Sequence, residues 1–136
     1  MKKGKRVAVR FPIEYRLLIT PKYKEREKQT VTRVALRTVN EFSNFRYEII
    51  VEDHIEDRTM LLKIHGLRAP KMTLPSMGPA IFSTEYSSLK GKYTVIISKL
   101  DKEENAFTVD ISEHKVVLEE SPKKHFVDVV TTEEDW

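Results

Sequence analysis

Cysteine is absent from the 136 residues. That absence excludes a disulfide framework, a thiolate metal site and a thiol nucleophile. Glycine is scarce, at four residues, and two motifs fail for want of it. Gly91-Lys92 has the last glycine and the lysine of a phosphate-binding loop. That loop also needs a glycine at position 86 and a Ser or Thr at 93, and both positions are tyrosine. The Gly-x-Ser-x-Gly turn that presents a nucleophilic serine does not occur. No stretch approaches the ~20 apolar residues of a membrane-crossing helix. After the basic start Met1-Lys-Lys-Gly-Lys-Arg6, the residues Arg10, Pro12, Glu14 and Arg16 interrupt any signal-peptide pattern. There is no Asn-x-Ser/Thr site for glycosylation. These absences set the expectation of a cytoplasmic protein with no membrane partner, no metal and no cofactor.

What is present is an ordinary globular composition, 40% hydrophobic and 33% charged. The length suits a single domain over 1–136 that buries a core without staples, with a basic tail (1–6), a β-rich body (7–130) and an acidic tail (131–136). Net charge is only +3, yet it is unevenly placed: residues 1–51 carry +8 and residues 52–136 carry −5. Two readings follow. Either the halves neutralise one another within one fold, or the basic half steers toward nucleic acid or an acidic partner.

Alternating apolar and polar residues dominate the chain, the period of half-buried strands. The clearest case is 91–113, where two alternating runs flank the polar stretch Asp101-Lys-Glu-Glu-Asn105. A five-residue loop at 101–105 pairs Lys99 with Phe107, Ile97 with Val109 and Val95 with Ile111, placing all six side chains on one face. Tyr47–Val51 and Met60–Ile64 form a second predicted hairpin around His54–Asp57, pairing Tyr47 with Ile64, Ile49 with Leu62 and Val51 with Met60. Further strands are expected at 13–19, 31–39, 81–86, 115–119 and 126–130. Pro21 to Gln29 is the one place for a short helix, with Thr20 as its cap and Pro21 in its first turn. The three prolines of 69–80 rule out a central strand there and suggest a crossing between sheets.

Seven to eight short strands with turns every eight to twelve residues predict an all-β fold, a sandwich or a barrel. Leu89-Lys-Gly-Lys-Tyr-Thr-Val95 resembles the tyrosine-corner stretch of immunoglobulin-like domains, with a small residue two before Tyr93. The resemblance spans about residues 30–120 and implies an immunoglobulin-like antiparallel β-sandwich. In it the 91–113 hairpin takes the place of strands F and G, 45–65 that of B and C, and the Tyr93 hydroxyl turns back to upstream backbone. It implies no function.

No nucleophile or acid–base set assembles, so a catalytic role is not expected. The candidate sites are contact surfaces. Met72, Leu74 and Met77, on the proline-rich crossing, offer soft apolar side chains on an irregular loop. Thr131-Thr-Glu-Glu-Asp-Trp136 ends in the only tryptophan, similar in kind to acidic aromatic segments that dock into basic grooves of partners. These point to a protein-interaction or structural module with a protein partner or a second copy of itself. The alternative is a nucleic-acid-binding β-domain using Lys2, Lys3, Lys5, Arg6, Arg10 and Arg16. Finally, Leu18 and the triplet Val116-Val-Leu118 break the one-faced pattern, which predicts that one of these two strands is covered on its second face by the 126–130 segment or by another protomer.

Overall fold

The structure, a computed structural model, describes residues 13–44, 46–69, 76–100 and 103–136. Nine strands follow in order among them: β1 (Tyr15–Lys24), β2 (Gln29–Thr38), β3 (Glu48–Glu56), β4 (Thr59–Arg68), β5 (Ile81–Ser87), β6 (Gly91–Ser98), β7 (Glu104–Ile111), β8 (Val116–Glu120) and β9 (Val127–Val130). They form one mixed sheet in the order β9-β1-β2-β5-β3-β4-β6-β7-β8. The sheet curls until it is nearly a barrel.

The alternation does the folding work. Odd-numbered positions of β1, β3, β6 and β7 point inward, as do even-numbered positions of β2 and β4. The interior is therefore a single apolar cluster including Leu17, Ile19, Val34, Leu36, Leu62, Val95, Ile97, Phe107 and Val109. Closure is polar. The Phe126 carbonyl accepts the N–H groups of Glu14 (2.8 Å) and Tyr15 (3.1 Å). The buried Asn105 side chain at the start of β7 accepts the Phe126 N–H at 2.8 Å and donates to the Lys124 carbonyl at 3.2 Å. Lys99 bonds Glu14 at 2.7 Å and places its ammonium 4.6 Å from the Phe126 ring centroid. The segment before β9 is thereby tied to both β1 and the β6–β7 hairpin.

The all-β class matches the sequence expectation; several details differ. Instead of two antiparallel sheets there is one, and β9–β1, β3–β5 and β4–β6 pair in parallel. The β4–β6 pair corresponds to strands C and F of the expected sandwich, whose sheets are antiparallel. Tyr93 is buried in the core, with the Arg58 guanidinium 5.2 Å from its ring centroid, and its hydroxyl makes no hydrogen bond to backbone among the described residues.

Both hairpins exist in shifted register. Val95 faces Phe107 and Ile97 faces Asn105, four residues from the predicted partners. An even shift leaves every side chain on its expected face, so hydrophobic pattern alone does not select between the two pairings. In the second hairpin the strands run on to Glu56 and Thr59, leaving Asp57-Arg58 as the tip, and a bulge between Ile50 and Val51 absorbs one residue. No helix forms at 21–29. β1 runs through Pro21 to Lys24, and residues 25–28 turn into β2. Proline is accepted because β9 pairs only with Tyr15–Leu18, so that Pro21 lies on an open edge where no partner needs its missing N–H. The sole helical element described is a 3₁₀ turn at Glu133–Asp135. No helix among the described residues is long and apolar enough to cross a membrane.

Candidate functional site

Where the inner faces of β1 and β2 fill the barrel, their outer faces carry an unusual composition. Strand pairing sets Arg16 opposite Arg37, Leu18 opposite Ala35 and Thr20 opposite Arg33. Leu18 and Ala35 are nevertheless completely buried, so this face is covered. The acidic segment after β9 folds back onto it. Arg33 Nη1 bonds the Glu133 carboxylate at 3.1 Å, Arg16 Nη1 donates to the main-chain oxygen of Trp136 at 3.2 Å, and the Arg37 guanidinium stands 5.7 Å from the Trp136 ring centroid. The segment is shaped for this by its own turn, in which the Thr132 hydroxyl donates to Asp135 at 2.9 Å and the Trp136 N–H to the Glu133 carbonyl at 3.1 Å.

Charge balance runs the same way. The outward positions of β1, β2, β5 and β9 bear Arg16, Lys22, Lys24, Arg33 and Arg37 against Glu85 and Asp128, an excess of three positive charges. Glu133, Glu134 and Asp135 return three negative ones. Glu85 is shared between Lys24 (2.7 Å) and Lys22 (3.7 Å), and the Lys24 hydrogen bond draws its carboxyl below the usual carboxylate range. Asp128 lies 3.7 Å from Arg16 Nε, too far for a hydrogen bond. Arg16 Nε and Arg37 Nε are both buried with no hydrogen-bond acceptor among the described residues. Two arginines thus retain hydrogen-bonding capacity that the acidic segment does not use.

Arg16 and Trp136, predicted for two different roles, meet here. Arg33 and Arg37 escaped the sequence reading; the signal was the spacing Arg33-x-Ala-x-Arg37, which places both on one face of a strand. Met77 lies apart, 66% exposed beside Phe42 and Arg46. Met72, Leu74, Lys2, Lys3, Lys5, Arg6 and Arg10 lie outside the described residues. The doubly covered strand is β1, while β8 has one buried face only, with Val116 inside and Val117 42% exposed. The 126–130 segment pairs beside β1 as β9 instead of lying over it, and residues 131–136 supply the contacts across the outer face. Glu52 and His65 form a 3.0 Å pair, and no group of three metal-ligating side chains occurs among the described residues.

Comparison of the chain with protein-family models, with curated proteins and with solved structures finds no match in any of the three.

Proposed function

We propose that this protein is a non-catalytic interaction module whose β1–β2 outer face receives an acidic, aromatic-bearing peptide of a partner protein. One observation carries the reading: Arg16, Arg33 and Arg37 converge on Glu133 and Trp136 over an apolar floor of Leu18 and Ala35. The polar and ring contacts of the internal occupant are individually weak. Its 3₁₀ turn buries no residue, an exposed ion pair such as Arg33–Glu133 is worth ~0.2–1 kcal/mol, and a surface cation–π contact adds ~0.5–1 kcal/mol. A partner segment of the same chemistry displaces it by engaging the idle Arg16 and Arg37 nitrogens as well, since arginine forks favour bidentate carboxylate contacts.

The test uses the full chain with its own segment released by Glu133→Ala and Trp136→Ala. A fluorescent peptide containing Glu-Glu-Asp-Trp should bind this double variant more tightly than wild type, and adding Arg33→Ala and Arg37→Ala should abolish the gain. No peptide binding by the released variant refutes the proposal. Binding of mixed oligonucleotides in place of the peptide, with a steep salt dependence, would assign the face to nucleic acid instead.

A further inference from the structure

The other feature of note is at one mouth of the barrel, on residues separate from the arginine face. There the β1–β2 turn, the end of β5 and the β7–β8 connection surround a cleft of about 630 Å³, within the ~300–1,000 Å³ range of small-molecule sites, which favour barrel mouths. Its lining is mostly polar. Thr30, Thr32 and Ser88 present hydroxyls that no other group engages among the described residues, and a hydroxyl both donates and accepts. Gln29 adds an amide, and Tyr23, 59% exposed, adds a flat ring with a polar tip.

Charge selects further. Lys90 is held 3.4 Å from Glu113, whereas Lys28, also lining the cleft, has no carboxylate partner among the described residues. The backbone is shaped here too. Lys28, in the β1–β2 turn, and Ser88, just after β5, hold φ values of 52° and 65°, a region that non-glycine residues seldom occupy. An apolar ligand would strand these hydroxyls and amides without partners. A polyhydroxylated ligand satisfies them, and one anionic group on it pairs with Lys28.

We infer that the barrel mouth bounded by Tyr23, Lys28, Thr30, Thr32 and Ser88 is a binding site for a small phosphorylated sugar. The experiment titrates glucose 6-phosphate into the ¹⁵N-labelled full chain and follows amide shifts, with glucose and inorganic phosphate as separate probes. Saturable shifts confined to residues 28–32 and 88–90 are expected with the sugar phosphate, and both controls should bind at least about tenfold more weakly. Lys28→Glu and, separately, Thr30→Val should each weaken binding by about tenfold or more; a thermal melt checks that each variant folds, and either one folding is sufficient. Absence of saturable shifts up to millimolar concentration overturns the inference. So does binding that both variants retain, and so does phosphate alone binding as well as the sugar phosphate.

Discussion

Asn105→Ala tests whether barrel closure depends on one buried amide. Asn105 is only 4% exposed and Phe126 2%. Its Oδ1 takes the Phe126 N–H at 2.8 Å, and its Nδ2 serves the carbonyls of Lys124 and Glu104 at 3.2 and 3.1 Å. Alanine strands the Phe126 N–H away from water, at a cost of ~1–3 kcal/mol. The Lys124 and Glu104 residues are exposed, so water partly replaces what their carbonyls lose, and about 1 kcal/mol more covers both. The expected loss is ~2–4 kcal/mol out of a total typically of 5–15. In urea, with a slope of ~2 kcal/mol/M, the midpoint should fall by ~1–2 M at constant slope. Hydrogen exchange supplies the local readout: the Phe126, Glu14 and Tyr15 amides, all in this junction, should lose protection before the β6–β7 ladder does. A loss under ~0.5 kcal/mol, or a Phe126 amide as protected as in wild type, would refute the closure argument.

Other outcomes follow from the same geometry. Phe107→Ala, at a position 2% exposed and edge-on to His125 at 6.3 Å, should cost ~3–5 kcal/mol in a denaturant melt; a change under about 1 kcal/mol would place it outside the core. Leu18→Lys should destabilise by more than ~3 kcal/mol, because it puts an ammonium into a fully buried site between Arg16 and Thr20, while Val117→Lys on the one-faced β8 should stay within ~0.5 kcal/mol. Comparable effects of the two would contradict the two-faced burial of β1. Burial and then its hydrogen bond to Asp53 raise the Tyr86 hydroxyl pKa. The neutral phenol is thus favoured by folding, so its contribution is full below the unfolded value of about 10 and is lost as pH climbs toward the higher folded value. Tyr86→Phe should therefore flatten part of the stability decline above about pH 10, read as urea midpoints across that range, and an unchanged slope would show the group to be uninvolved.

Period-two alternation was legible in the residues themselves. It determined that the chain is all-β, that β2, β5, β7 and β8 lie where they do to within a few residues, and that Val95, Ile97, Phe107, Val109 and Ile111 share a buried face. The same alternation was blind to any shift by an even number of residues, so it carried no information to distinguish Phe107 from Ile111 as the partner of Val95. Leu18 announced a second covering by breaking the pattern, without saying what covers it.

Tertiary structure decided the rest, because the deciding contacts join segments that no local pattern relates. The parallel pairs β9–β1 and β4–β6 bring together residues 112 and 35 positions apart, as in Val127 with Tyr15 and Met60 with Val95, and it is these pairings that make one curling sheet of what reads locally as a set of hairpins. The charge asymmetry between the two halves of the chain foretold only that opposite signs would meet or would recruit partners. That Arg16, Arg33 and Arg37 stand together under Glu133 and Trp136 follows from β9 running parallel to β1 and ending beside Leu18, from where the acidic segment folds back across the arginines over the buried Leu18.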